Sequence, residues 1–262
     1  MKNQDSKKEW NKMVTVILNV YKRPQYLKEQ IEAFENQTIP CDIWIDYTVP
    51  EGEQMYDLSS IAPNAKITTR TNQNLFHIGR FFYALNAQSK YIFICDDDII
   101  PGKNYLQHCI NVIKDEGNCI LTGYGLRFDR NIPKYQPIEK YGWHSLAQGG
   151  FNTSKEVDMA GHSWFMERSS LSYITREIPY NFENGEDLFF SYIMNKYAKI
   201  PIKVAPHNIN EPENWSCDYN KGMVMGNDIN ATWRLENHYP IRDKSLKHYL
   251  DNGWELVNDK KK

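Results

Sequence analysis

The chain lacks an excess of basic residues. Lys and Arg number 31 against 33 Asp and Glu, for a net charge of -2. Proteins that read duplex nucleic acid carry a basic balance or a strongly basic face. Nucleic acid is therefore not the expected partner, although a net charge leaves room for a local basic patch. Cysteine is scarce and unpaired in pattern: Cys41, Cys95, Cys109, Cys119 and Cys217 are odd in number, and no CxxC occurs. That argues against a zinc site and a disulfide framework. Cys95, Cys109 and Cys119 lie in or beside apolar segments and read as small buried hydrophobes in a reducing compartment. No stretch reaches the roughly 20 apolar residues that span a bilayer. The first residues, MKNQDSKKEWNK, contain no apolar signal core. The expectation is a cytoplasmic protein without an integral membrane segment. There is no internal repeat and no low-complexity tract.

What is present suits one large domain. The 262 residues are 41% hydrophobic, enough for a sizeable core. Residues 13–20 (MVTVILNV) form a β-branched apolar run of the kind buried in a parallel sheet. Pro24 then suits the first turn of a helix over 25–37. Strands are expected at 41–47 and 65–69, and a helix at 75–87 with Phe76, Ile78, Phe82 and Leu85 inward. A buried strand follows at 90–95 (KYIFIC), then a helix at 105–114 and a strand at 119–124. This alternation predicts an α/β fold with a mostly parallel central sheet flanked by helices. Residues 126–156 read as a long irregular segment with room for a hairpin. Strands at 157–165 and 200–205, a short helix at 169–174, a helix from Asn184 to Tyr197 and a last helix near 245–252 complete the reading.

Four features carry chemistry. The first is Asp96-Asp97-Asp98, directly after the apolar strand. Carboxylates at the carboxyl end of a sheet strand lie where open α/β sheets bind ligands. Their oxygens suit Mg²⁺ or Mn²⁺, cations that in turn clamp a pyrophosphate; the alternative is a solvated turn capping the next helix. The second is Gly185-Glu186-Asp187 at a helix start. These acids either complement the helix dipole or supply a base at the mouth of the sheet. The third is Arg80, on the helix before the acidic strand. It either pairs with a phosphate or makes a surface salt bridge. The fourth is His207, at a strand end, which could complete a metal shell; His162 and His238 compete for that role.

The segments NVYKRPQYLKEQIEAFENQT, NLFHIGRFFYAL, YIFICDDDIIPG, DMAGHSWF and NGEDLFFSYIM together resemble GT-A fold glycosyltransferases. They are similar to family 2-like enzymes and to the exostosin-like family with its DDD motif. The resemblance spans about residues 13–207. It implies a Rossmann-like nucleotide-diphospho-sugar transferase with a donor-binding half at 13–125 and an acceptor half at 126–207. Residues 1–12 are then a flexible leader, and 208–262 pack on the core and can form a lid. It further implies that Asn19, Tyr21 and Arg23 meet the nucleotide, with Asp46 near the base. Asp96 and Asp97 belong to the donor site together with Arg80. Asp96 and Asp98 are the metal-binding pair, with His207 a ligand by position. Gly161, His162 and Trp164 lie on the acceptor side. Asp187, with Glu186 beside it, is the catalytic carboxylate. The implied donor is a nucleotide sugar, a UDP-sugar by expectation, the cofactor Mn²⁺ or Mg²⁺, and the acceptor a hydroxyl of a glycan or other molecule. Family 2 enzymes invert the anomeric centre and exostosin-like enzymes retain it; inversion with Asp187 as base is the reading taken here. A transferase acting on modified DNA bases, a nucleotidyltransferase and an inert sugar-binding module are the alternatives. VILNVYKRP lacks the Gly-rich basic phosphate loop that a nucleotidyltransferase needs.

Overall fold

A computed structural model describes residues 13–71 and 73–259. The leader expected at 1–12 lies outside the described residues. The elements run β1 (Val14–Val20), α1 (Leu27–Glu35), β2 (Cys41–Thr48), β3 (Lys66–Arg70), α2 (Gly79–Ala84), β4 (Tyr91–Cys95), α3 (Tyr105–Glu116) and β5 (Ile120–Arg127). Then come β6 (Glu139–Gly142), β7 (Gly150–Phe151), β8 (Lys155–Val157), β9 (Met159–Glu167), α4 (Arg168–Leu171) and α5 (Glu186–Ile193). The chain ends with β10 (Ile202–Val204), β11 (His207–Asn208), α6 (Tyr219–Gly226) and α7 (His238–Asp251).

The apolar strands are buried on both faces because helices cover both. Along β1, Val14, Val16, Leu18 and Val20 enter one core with α1 and α3, while Ile17 enters the other with α2, α5 and α7. Along β4, Tyr91, Phe93 and Cys95 point to the first core, and Ile92 and Ile94 to the second. The period of two in side-chain direction explains how unbroken apolar runs serve two cores at once.

The main sheet has nine strands in the order β3-β2-β1-β4-β9-β5-β10-β8, with β6 beside β5. β1, β2, β3, β4, β5 and β10 point one way; β6, β8 and β9 run against them. The sheet is thus mostly parallel, as expected. The position of β9 was not foreseen: it is inserted antiparallel between β4 and β5. Its register places Ser163 opposite Cys95, so the residue before Ser163 meets the start of the acidic run.

Several expected elements are corrected. The helix over 75–87 is only Gly79–Ala84. The Asn74 side chain accepts from the Phe76 amide, and Phe76 takes a left-handed φ of 52°. That turn delays the helix, leaving Phe76 and Phe82 exposed while Ile78 and Phe81 are buried. The segment 126–156 holds β6, a 3-10 turn at Trp143–Gln148 and β7. The helix begun by Glu186 finishes in a π-helical turn, Met194–Ala198. The last helix starts seven residues before the expected 245, at His238, and α6 was not anticipated at all.

Candidate active site

The carboxyl ends of β1, β2 and β4 open into a cavity of about 1030 Å³, large enough for a ligand bigger than a mononucleotide. Asn19, Tyr21 and Arg23 line it after β1, Asp46 from β2, and Asp96, Asp97 and Asp98 after β4. His162, Trp164, Glu186 and Asp187 also line it, as do residues of α6, α7 and the turns between them.

The three aspartates have three different partners. Asp96 accepts from Arg80 Nη1 at 2.5 Å. Burial pushes its acidity down, but the charge of Arg80 outweighs that and holds its pKa below the usual carboxylate value. Asp97 accepts from Arg23 Nε at 2.9 Å and also from Arg23 Nη2. Burial nevertheless raises its pKa to about 6. Asp98 has the least support. Its Oδ1 is buried without a hydrogen-bond partner, and Arg23 Nη2 lies 3.7 Å from its Oδ2. Burial, then repulsion from Asp96, raises its pKa to about 6. A buried carboxylate oxygen with no donor is costly unless a cation joins it, and Asp98 lines the cavity, so the residue fits a hard divalent metal. Among the described residues no group of three or more His, Cys, Asp or Glu side chains converges on one point. Mg²⁺-type sites commonly take one or two carboxylates and complete their shell with phosphate oxygens and water.

Arg80 differs from both expectations for it. It is 2% exposed, so it is not on the helix surface. Its two terminal nitrogens are already engaged: Nη1 with Asp96 and Asn19, and Nη2 with Glu186 at 3.0 Å. The guanidinium lies 4.6 Å from the Trp164 ring, a cation–π contact. Arg80 is a buried tie between the acidic run and α5, not a free phosphate ligand.

Gly185 adopts a φ of 90°, a conformation that favours glycine, and turns the chain into α5. Glu186 and Asp187 follow on its first turn and line the cavity. Asp187 Oδ1 accepts from the Leu188 amide at 2.7 Å, and Oδ2 pairs with Arg242 of α7. Arg242 also donates to Asn184 and Tyr135. The sequence reading missed Arg242: it stands 55 positions from Asp187, on a helix placed only by tertiary packing.

Three expected site residues are placed differently from expectation: His207 and Gly161 lie off the cavity, and Trp164 lies at its back. His207 is fully buried; its Nδ1 is 2.8 Å from the Ala205 carbonyl and its Nε2 2.6 Å from Ser216 Oγ. Burial lowers its pKa to about 4. With both nitrogens engaged away from the cavity, it does not join Asp98, so the metal-ligand expectation is withdrawn. Gly161 is not on the cavity wall. Its amide and carbonyl both bond Thr122 Oγ1, and an added Cβ would lie 3.3 Å from the Tyr124 ring. Trp164 reaches the cavity but is 1% exposed beneath Arg80, so it backs the site and offers no open platform. His238 lines the rim and contacts Asn184. Asp46 pairs with Arg70 of β3 at the cavity edge.

Residues 15–175 match the family model described as Glycosyl transferase family 2. The match concerns the family 2 half of the resemblance and stops before Glu186 and Asp187. Among solved structures, a mannosyltransferase from Pyrobaculum calidifontis in complex with GDP-Man and Mn²⁺ is similar, at 14% identity and a TM-score of 0.49. The alignment covers 77% of this chain and 56% of that one, so the chain spans little more than half of that protein's length. No curated protein sequence matches the chain.

Proposed function

The chain belongs to glycosyl transferase family 2, and from that premise we propose that it is a metal-dependent, inverting glycosyltransferase that moves a sugar from a nucleotide-sugar donor to an acceptor hydroxyl. The observation that carries the proposal is a single cavity lined both by Asp96, Asp97 and Asp98 and by Glu186 and Asp187. Donor phosphates and acceptor oxygen need both kinds of group around one reacting carbon.

In this reading Asp98, with Asp96 beside it, would hold Mn²⁺ or Mg²⁺. A bound cation of this type offsets the charge that develops on a leaving diphosphate. Asn19, Tyr21 and Asp46 border the nucleoside, for which a uridine is the expected base. Arg23 holds Asp97 and also donates to the Met225 carbonyl at the end of α6, which ties the donor loop to the rim. Asp187 takes the acceptor proton as the oxygen attacks C1 from the opposite side to the leaving group. Arg242 fixes the direction of Asp187 but competes for its Oδ2, so Glu186 is the second carboxylate to test. Residues 13–125 serve the donor and 126–207 the acceptor. The 208–262 segment, through α6 and the turns after it, forms the rim that acts as a lid.

The test is release of nucleoside diphosphate from a panel of nucleotide sugars, with and without Mn²⁺. Wild-type protein is expected to turn over one donor only with metal, and Asp98→Ala to lose that turnover. Asp187→Asn should lower turnover at least a hundredfold while keeping donor binding. Wild-type-like transfer by Asp98→Ala would remove the metal assignment. Full activity in Asp187→Asn with loss in Glu186→Gln would move the base to Glu186.

A further inference from the structure

His144 and His162 come together on the acceptor-side wall. His144 lies in the 3-10 turn after β6, and His162 in the middle of β9. Both line the cavity. The Tyr124 ring completes a triangle with them, its centroid 4.8 Å from each imidazole. The two imidazoles are 5.4 Å apart and nearly perpendicular. Trp143 stacks behind His144 at 3.5 Å.

What separates this pair from a structural histidine is its hydrogen bonding. His207 satisfies both of its nitrogens. The Nδ1 atoms of His144 and His162 are buried with no partner. Neither Nδ1 is held by a hydrogen bond, so the tautomer of each ring is free to follow a ligand in the cavity. His162 also has a φ of 64°, a left-handed conformation that is uncommon outside glycine and tends to persist at functional sites. Its backbone carbonyl accepts from the Asp96 amide at 2.8 Å. The strained residue is thereby pinned to the first aspartate of the acidic run.

We propose that His144 and His162 form the subsite for a neutral pyranose ring of the acceptor, whose vicinal hydroxyls complete the two unpaired imidazoles. This rests on the cavity being a glycosyl-transfer site. A neutral imidazole offers one donor and one acceptor, the complement of a hydroxyl. Tyr124, which lines the cavity beside both, adds an aromatic ring for the C–H groups of the sugar. Burial lowers the pKa of His144 to about 3, so that imidazole carries no charge at neutral pH. Of the cations near the pair, Arg242 is matched by Asp187 and Arg80 by Asp96 and Glu186, while Lys140 lines the same cavity.

The test is saturation-transfer NMR with the methyl glycosides of glucose, galactose, mannose and N-acetylglucosamine, against glucose 6-phosphate as the anionic comparator. The variants are His144→Leu and His162→Asn, the latter chosen because asparagine tolerates a left-handed φ. One glycoside should bind wild type better than the sugar phosphate, and each variant should weaken it at least tenfold. Both variants should keep the Mn²⁺-dependent thermal shift given by the donor. Affinity unchanged within twofold in the variants, no glycoside bound by wild type, or preference for glucose 6-phosphate would each overturn the subsite. Should His162→Asn fail to fold, His144→Leu decides alone. If glycosides bind through the pair while no nucleotide sugar shifts the wild type, the subsite stands and the glycosyltransferase reading falls.

Discussion

Asp98 is where function and stability oppose each other. Its folded-state pKa of about 6 lies above the unfolded value near 4, so the folded protein binds this proton more tightly. The ionised form therefore penalises folding, with no penalty below about pH 4 and the full penalty above about pH 6. Asp98→Asn should raise the melting temperature of the metal-free protein at pH 7.5. The gain is on the order of 1 kcal/mol, or a few degrees, and should vanish near pH 4. Equal melting curves for the two proteins at pH 7.5 would show that the carboxylate is not strained. Arg80 has the opposite sign. Arg80→Met leaves Asp96 and Glu186 without their shared cation and should cost about 2–3 kcal/mol, below the full figure for a buried pair because Asp96 keeps 29% exposure. Arg80 lowers the pKa of Asp96, so this contribution is present above pH 4 and fades as pH falls through the depressed value. The gap between the two denaturation midpoints should narrow near pH 3. The acidic triplet was legible because three carboxylates after YIFIC are costly without a purpose. The division of labour within it was not, because the partners Arg23 and Arg80 are 74 and 16 positions away.

The rim is set by close approach between elements. Gly222 of α6 lies against the 3-10 turn that carries His144. A Cβ there would sit 2.9 Å from Cys217 Sγ and 2.9 Å from Trp143 Cη2. Gly222→Val should force α6 outward and cost about 1–3 kcal/mol by overpacking. It should also weaken acceptor use more than donor binding, because Trp143 backs His144. Parallel measurement of the acceptor KM and the donor thermal shift checks this, and a variant with wild-type stability would show that the contact has slack. The same glycine explains why α6 escaped the sequence reading: two glycines within YNKGMVMG lower its helical propensity. Its start is fixed by Asp218, which accepts from the Lys221 amide, a local cap, and its position by packing on Trp143. The helix expected at 75–87 failed for the converse reason. Its apolar spacing was adequate, but the Asn74 side chain claimed the Phe76 amide for a turn.

On the scale of the whole molecule, the cavity joins residues from β1 to α7, so a ligand that fills it should stabilise the entire fold. A nucleotide sugar at a hundred times its Kd with Mn²⁺ should add about 2.7 kcal/mol, a rise of roughly 5–10 °C for a chain of this size. The rise should shrink without metal or with Asp98→Ala. A rise independent of both would place the ligand elsewhere. No described helix is long and apolar enough to cross a membrane. The sequence by itself determined the α/β alternation, the burial of VTVILNV and YIFIC, the acidic run at a strand end, and Gly185-Glu186-Asp187 at a helix start. These are local: apolar runs, turn residues and caps act within a few positions of one another. Only the tertiary structure decided that β9 pairs antiparallel with β4 and brings His162 to Asp96. It also decided that Arg80 is buried between two carboxylates, that α7 delivers Arg242 to Asp187, and that His207 is turned away. Strand order and long-range ion pairs depend on which surfaces bury best against each other, and no local pattern along the chain encodes that choice.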